Sequence, residues 1–197
     1  MSRLMEIKRN AVTLIARNGF GAMSLRDLAR ASGLQAGSLY AHYKSKDSLL
    51  LEVMIDHLEE LISHWQESDQ RRKGPKVRLS AFVSAYIEFH SAHIDQCLIL
   101  ESDIRSLDEQ GRAAVNELKR QYEGELAGVL LQGQRSGEFR IDDIPFAVVT
   151  LTSVLQGICS RYCRDNDVAV RHAISRATVM AFSMVGADRT TGGVNHV

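Results

Sequence analysis

The chain has 197 residues with 24 basic and 24 acidic side chains, so its net charge is zero. This length suffices for one domain or two small domains, and the zero net charge by itself argues against a protein that binds nucleic acid. Three cysteines fit a reducing compartment. The longest apolar stretch, residues 144–155, contains threonines and a serine and is shorter than the roughly 18 residues of a membrane span. The polar N-terminus is unlike a signal peptide, so we expect a cytoplasmic protein without a membrane partner.

The charges are unevenly distributed along the chain. Residues 1–50 contain eight lysines and arginines against three acidic residues, a balance of +5, so residues 51–197 carry −5. A basic N-terminal segment joined to an acidic remainder is typical of a DNA-binding domain attached to a second domain.

Two short helices are predicted at the start of the chain. The first precedes residue 18 and has apolar side chains on one face, at Ile7, Ala11, Leu14 and Ile15. Ser24 is a good N-cap for the second helix, and Asp27 three residues later completes a start that resembles a capping box. Gly33 then ends this helix, because glycine adopts a left-handed conformation at low steric cost.

A third short helix, about residues 36–42, begins with small residues and ends in Tyr40 and His42. Small residues let a helix approach base edges in the major groove, and hydroxyl and imidazole groups donate to phosphates. Ser45 caps a fourth helix with Lys46 in its first turn, where a cation opposes the helix dipole and is more useful to a phosphate. The pattern predicts a helix-turn-helix; the glycine turn alone also fits an ordinary corner between two helices of a bundle.

These residues resemble the TetR/AcrR family of one-component bacterial transcription repressors. The similarity lies in Ser-Leu-Arg-Asp-Leu-Ala at 24–29, Gly-Leu at 33–34, and Gly-Ser-Leu-Tyr-Ala-His-Tyr-Lys-Ser-Lys-Asp-Ser-Leu-Leu at 37–50. It covers about the first fifty residues; beyond them the chain shares the family's length and helical pattern. The resemblance implies an all-α fold with a three-helix DNA-binding domain at residues 1–47 and an effector-binding and dimerisation domain at residues 48–197.

The resemblance also implies which side chains contact operator DNA. Serine, tyrosine, histidine and lysine side chains would hold phosphates, and the start of the third helix would face the bases. Many relatives carry a longer polar side chain where this chain has Ala36, which offers only a methyl contact. The predicted DNA contacts are Ser24, Arg26, Gln35, Ala36, Gly37, Ser38, Tyr40, His42, Tyr43 and Lys46.

The remaining chain reads as helices, about nine in all. A long helix over residues 46–70 is followed by a break at 71–75, and further helices are expected over 76–93, 108–136, 145–163 and 168–185, with a short segment at 97–105. The last two helices are apolar on more than one face, which predicts a homodimer built as a four-helix bundle, or else fully interior helices. Two DNA-binding domains reaching successive major grooves about 34 Å apart would also require a dimer.

The family resemblance implies a small effector bound in the second domain. Residues 101–139 resemble members that answer to lipid-derived compounds or coenzyme A thioesters. For each candidate residue, packing in the core is the alternative interpretation. The candidates are Trp65, Phe82, Tyr86, Phe89, Tyr122, Gln156 and Tyr162.

The sequence gives less support to a metal site or a redox site than to DNA binding. His90, His93 and Cys97 could share a helix face, but a zinc site needs four ligands. Cys159 and Cys163 lie one turn apart and are better explained as buried small apolar residues. No catalytic constellation is found, so we expect neither an enzyme nor a cofactor.

The sequence therefore predicts a homodimeric repressor that a small, apolar effector releases from its operator. The alternative is a helical ligand-binding or scaffold protein that does not depend on DNA.

Overall fold

The computed structural model describes residues 3–162 and 167–187, and within these ranges all regular structure is helical. This confirms the all-α prediction, and the nine described α-helices lie close to the predicted positions. A short 3₁₀ turn, Ile104–Ser106, precedes α7. The helices are α1 Arg3–Asn18, α2 Leu25–Ala31, α3 Ala36–His42, α4 Lys46–Ser68, α5 Pro75–Ala92, α6 Ile94–Ser102, α7 Glu109–Arg135, α8 Ile144–Tyr162 and α9 Asp167–Met184.

The contacts between residues divide the chain into two compact units. Unit 1 comprises Met1–Ser63 and Ala92–Arg120, and unit 2 comprises His64–Ser91 and Gln121–Val197. The segment predicted to bind DNA, residues 1–47, lies wholly in unit 1, which also contains most of α4, all of α6 and the start of α7. A functional boundary after residue 47 stays a prediction.

In unit 1, the turn between α2 and α3 is built as the sequence predicts. Gly33 has a φ of +64°, and the backbone N–H groups of Gly33 and Leu34 donate to the carbonyls of Arg30 and Ala29 at 3.2 and 2.8 Å. These bonds occupy carbonyls that the end of α2 would otherwise leave unpaired. The apolar faces of the first four helices are buried at Ile7, Ala11, Val12, Ile15, Leu28, Leu39, Leu49 and Leu50.

In unit 2, a buried ion pair joins the chain after α4 to α5 and α7. The guanidinium of Arg78 donates to both carboxylate oxygens of Asp69, at 2.9 and 2.8 Å, and to the Gln132 side-chain oxygen at 2.6 Å. The Asp69 side chain is fully buried, so its charge depends on this two-point pairing.

The end of α7 in unit 2 requires a glycine at residue 133. The chain reverses after α7, and the backbone N–H of Phe139 donates to the Gly133 carbonyl at 3.0 Å. This brings the Phe139 ring directly over the glycine, so that a Cβ built on Gly133 would lie 1.9 Å from a ring carbon. Phe139 is itself buried, so the ring cannot move aside without disturbing its neighbours.

We expect Gly133→Ala to destabilise the protein by about 1–3 kcal/mol, because the new methyl group forces the Phe139 ring out of its packed position. Gly124→Ala is the matched control, since it lies in the same helix with nothing within 4 Å of its built Cβ; alanine there should be neutral or stabilise by up to about 1 kcal/mol. Urea denaturation of both variants measures the difference, and equal stabilities would contradict the packing described here.

Candidate nucleic-acid interface and effector site

The helix α3 presents a short polar surface to solvent. Gln35, Ser38 and His42 are exposed, and Tyr40 is 50 % exposed, which is unusual for so large a side chain. Leu39, on the opposite side, is completely buried and anchors the helix. The exposed side of α3 therefore carries hydrogen-bonding groups and an aromatic ring, with the helix held from behind by one apolar contact.

Ser24 caps α2. Its hydroxyl accepts from the Asp27 backbone N–H at 3.2 Å and donates to the Asp27 carboxylate at 2.5 Å. The hydrogen bond from Ser24 lowers the pKa of Asp27 below its ordinary value, with a further contribution from Arg30. Arg26, two residues after the cap, is exposed and lies outside this network.

Lys46 lies at the start of α4 and contacts the loop between α1 and α2. Its ammonium donates to the carbonyls of Phe20 and Gly21, at 3.3 and 3.2 Å, and lies 4.6 Å from the centre of the Phe20 ring. Ser45 and Ser48 cap the same helix start, since the Ser48 N–H donates to the Ser45 hydroxyl at 3.0 Å. Lys46 thus has a structural role in the free protein, and a third donor of its ammonium remains for a phosphate.

Behind α3, Tyr43 lies inside unit 1 at 2 % exposure. Burial and the nearby Glu52 carboxylate raise the pKa of Tyr43 to about 12. Close by, the ammonium of Lys8 pairs with Glu52 at 2.6 Å and Asp56 at 2.5 Å. Partial burial lowers the pKa of Lys8, but the hydrogen bonds to Asp56 and Glu52 outweigh that effect and raise it above its ordinary value.

In unit 2, aromatic rings from α4, α5 and α7 form a buried cluster. The Phe82 ring lies at its centre, 4.9 Å from Trp65 and 5.1 Å from Tyr122. Tyr86 lies 6.2 Å from Tyr122 and stacks on His90 at 4.0 Å. Such edge-on and tilted arrangements are the favourable geometries for aromatic pairs. The aromatic cluster, as we call these residues, excludes water from the middle of unit 2.

Three polar atoms at this cluster are buried without a hydrogen-bond partner in the described part of the protein: Trp65 Nε1, Tyr122 Oη and His64 Nε2. Burial raises the pKa of Tyr122 well above its ordinary value, so its hydroxyl keeps its proton. A buried donor without an acceptor costs roughly 1–3 kcal/mol, so these groups are not explained by core packing alone.

Two family models match the chain. One, described as bacterial regulatory proteins of the tetR family, matches residues 7–53. The other, described as a tetracyclin repressor-like C-terminal domain, matches residues 72–185. The chain belongs to the TetR family.

Individual proteins are similar to this one over most of the chain. The HTH-type transcriptional repressor KstR2 of Rhodococcus jostii is 30 % identical over 141 residues, covering 71 % of this chain and 69 % of that protein. The fatty acid metabolism regulator protein of Bacillus subtilis is 23 % identical over 138 residues, covering 70 % and 71 %. A solved tetR-family regulatory protein from Rhodococcus RHA1 shares the fold with a TM-score of 0.88 at 23 % identity, covering 95 % of this chain and 99 % of that one.

This TetR-family protein is therefore a DNA-binding transcriptional regulator. Of the residues predicted to contact DNA, the structure places Arg26, Gln35, Gly37, Ser38, Tyr40 and His42 at the surface and Ser24, Ala36 and Lys46 partly buried. Tyr43 is buried, so in this structure it supports α3 from the inside and does not face solvent. The individual contacts with DNA stay predictions.

Of the predicted effector residues, the structure brings Trp65, Phe82, Tyr86 and Tyr122 together in the aromatic cluster. Phe89 contacts His64 and His90 at the edge of that cluster. Gln156 is half-buried on α8, and the Tyr162 side chain lies outside the described residues. The effector role of this set stays a prediction.

The histidines and cysteines considered as metal ligands or redox groups do not form a common site in the described residues. Within the described ranges, no three His, Cys, Asp or Glu side chains are grouped to hold a metal ion. Burial, followed by the nearby Glu101 carboxylate, raises the pKa of Cys97 to about 12, so its thiol is protonated and unreactive. Cys159 is buried, as expected for a small apolar residue, and Cys163 lies outside the described residues.

Sequence reasoning missed the ion triad of Lys8, Glu52 and Asp56. A signal for it was present, because residues 52 and 56 are acidic side chains one turn apart on a predicted helix, and a nearby cation relieves the repulsion of like charges at that spacing. It also missed the pairing of Asp69 with Arg78, which depends on a chain reversal that periodicity does not reveal.

We expect Lys8→Met to destabilise unit 1 by roughly 2 kcal/mol, since it leaves Glu52 and Asp56 facing each other without a cation and the triad is only partly exposed. A raised lysine pKa contributes stability that is complete below the unfolded value of about 10.4 and is lost as pH rises through the folded pKa. The difference between wild type and Lys8→Met should therefore shrink as the pH rises into the strongly alkaline range.

Urea unfolding at neutral and alkaline pH measures this difference. Lys44→Met is the control, because Lys44 is exposed and its loss should change stability by less than about 0.5 kcal/mol. A stability difference independent of alkaline pH would show that Lys8 acts by packing alone.

Proposed function

We propose that the protein is a homodimeric repressor that loses affinity for its operator when a small, apolar effector binds in unit 2. The observation that carries the proposal is the exposed polar side of α3 in a helix-turn-helix whose first helix, α2, is capped by Ser24. The KstR2 relative is named a transcriptional repressor, which supports repression over activation of transcription.

The proposed DNA contacts divide into two groups. Gln35, Ser38 and Arg26 are exposed and carry groups that can hydrogen-bond base edges. Tyr40, His42 and Lys46 carry donors suited to phosphates. Ser24 already donates to Asp27, so it would contact DNA only while capping α2, and Tyr43 would position α3 from behind. Because Ala36 offers only a methyl group to the bases, we expect the choice of DNA sequence to depend more on Arg26 and on the shape of the DNA.

The proposed dimer interface lies on α8 and α9, which pack against each other in unit 2. Phe146 is 69 % exposed, Val149 55 % and Met180 48 %, an apolar surface that a protein in water normally covers. The stretch 144–161 of α8 is long and apolar enough to cross a membrane by composition, with 22 % of it buried in the chain itself. A second copy covering this face accounts for the composition without a membrane, in agreement with a cytoplasmic regulator.

The proposed regulation couples two sites through shared helices. Both α4 and α7 contribute residues to unit 1 and to unit 2, so an effector that changes either helix in unit 2 also affects unit 1. Typical coupling free energies of about 1–3 kcal/mol change DNA affinity 5- to 150-fold. The name of the Bacillus subtilis relative, which concerns fatty acid metabolism, supports an effector derived from lipids, such as an acyl thioester. The proposal assigns the protein no catalytic activity.

DNA binding tests the proposal directly. With duplex DNA from upstream of the protein's own gene, we expect Tyr40→Ala and Lys46→Ala to weaken binding to all sequences, and Lys46→Ala to lower the salt slope by about 1. Gln35→Ala should instead relax specificity at one base pair, at a cost of about 1–3 kcal/mol. Fluorescence anisotropy over a range of salt concentrations measures all three.

Arg120→Ala is the control, because it removes one exposed positive charge from α7 in unit 1. Thermal unfolding of Lys46→Ala separates loss of DNA contact from loss of the contacts to Phe20 and Gly21. If all three variants bind the DNA as wild type does, the contacts proposed for Gln35, Tyr40 and Lys46 are wrong; a wild-type protein that binds no DNA would instead favour the DNA-independent scaffold.

Oligomeric state tests the proposed interface. We expect Val149→Glu and Met180→Glu to produce monomers, because each places unpaired like charges across a two-fold apolar interface, and to weaken operator binding more than about tenfold, as a single domain contacts only one half-site. Val77→Glu, at another exposed apolar side chain of unit 2, should leave a dimer. Analytical ultracentrifugation decides, and a monomeric wild type would refute the interface.

A further inference from the structure

The aromatic cluster of unit 2 contains two side chains whose polar atoms have no role in packing. Trp65 Nε1 and Tyr122 Oη are both buried without a hydrogen-bond partner in the described part of the protein. Both rings contact Phe82, at 4.9 and 5.1 Å between centroids, so the two rings lie within about 10 Å of each other. A ligand of drug size spans a distance of this order, so the two donors can belong to one binding site.

The chemistry of these groups restricts what they bind. An indole N–H only donates, and a phenol that keeps its proton donates as well; burial holds the pKa of Tyr122 high, so it does. Both groups can therefore be satisfied by a ligand atom that accepts a hydrogen bond. The remaining surface of the cluster is aromatic and apolar, which suits the hydrocarbon part of a ligand.

The charges around the cluster favour a neutral acceptor. In the described part of unit 2, every lysine and arginine is exposed or half-buried, and Arg78 is committed to Asp69 and Gln132. A carboxylate brought into the cluster would lose its hydration without gaining a cation beside it, at a large cost. His64, His90 and Cys159 are titratable side chains beside the rings, and of these three the two histidines are the alternative partners for an acid.

We infer that Tyr122 and Trp65 are the polar recognition groups of the effector site and that they select an apolar molecule bearing a neutral carbonyl, an ester, thioester or ketone, over the corresponding carboxylic acid. This inference rests on the proposed function and specifies its ligand. The hydrocarbon part packs on Phe82 and Tyr86, and the carbonyl oxygen accepts from the two buried donors.

Matched probes test the selectivity. Methyl esters, coenzyme A thioesters and free acids of the same short, medium and long saturated chains, together with a steroid ketone, are titrated into the wild-type protein and followed by thermal shift, calorimetry and release of promoter DNA. Neutral carbonyl compounds should bind and release DNA while the acid of equal length binds at least about tenfold more weakly. Whether thioesters, simple esters or the ketone bind best identifies the source of the carbonyl.

The variants Tyr122→Phe and Trp65→Phe test the two donors. Tyr122→Phe should weaken binding of the best probe by about three- to tenfold, the range expected for one hydrogen bond, and should leave the melting temperature of the free protein unchanged or raised, because it removes a buried donor without a partner. Leu130→Ala is the control, because Leu130 is a fully buried aliphatic side chain of α7 that is not part of the aromatic cluster: it should lower the melting temperature without changing the preference for ester over acid.

Three results would overturn the inference: acids that bind as tightly as esters, a series in which no neutral carbonyl compound binds, or a Tyr122→Phe variant that is markedly less stable when free, since the hydroxyl would then be structural. Failure of the proposed function gives a different result, namely a protein that does not bind promoter DNA even without probes.

Discussion

The ion triad of Lys8, Glu52 and Asp56 is the interaction on which the DNA-binding part of this protein depends. Glu52 and Asp56 are one turn apart on α4, and two like charges at that spacing weaken a helix by a few tenths of a kcal/mol. The Lys8 ammonium, 2.6 and 2.5 Å from the two carboxylates, removes this repulsion only when α1 lies in one register along α4. Apolar packing alone would tolerate a sliding contact, because it is not directional.

Residues close to this triad also pack against the buried side of α3. Tyr43 follows α3 and is buried beside Glu52, and Leu39 one turn earlier is fully buried. Lys46 joins the start of α4 to the carbonyls of Phe20 and Gly21. Polar contacts of defined geometry thus connect the start of α4 to the loop after α1, and buried side chains hold α3. A helix whose exposed side must match base edges to within an ångström needs such support from rigid neighbours.

Signals local in the sequence were enough to predict the helical fold and the cap and turn of the helix-turn-helix. Ser24, Asp27 and Gly33 act through the backbone within four residues of themselves, and the structure shows each in the predicted role. Exposure was harder to predict. Tyr40 and Tyr43 lie three residues apart, and both looked suited to DNA, yet one is half exposed and the other is buried. Only the position of α4, a long-range feature, decides between them. The contacts of Lys8 with α4 and of Arg78 with Asp69 were missed for the same reason.

Among the described residues, some buried polar groups are paired with an opposite charge and others have no hydrogen-bond partner. In unit 1, Lys8 satisfies two carboxylates, and in unit 2, Arg78 satisfies Asp69, so these charges specify one arrangement of helices at little net cost. Trp65 and Tyr122 instead keep buried donors unmatched, at a cost of roughly 1–3 kcal/mol each. Natural proteins retain such costs where function requires them. A regulator whose stability is lowered at its effector site gains more from ligand binding than one whose core is already satisfied, because the ligand supplies the missing acceptor. If Trp65 and Tyr122 contact the effector as proposed, the free energy gained when they find an acceptor is available to oppose DNA binding.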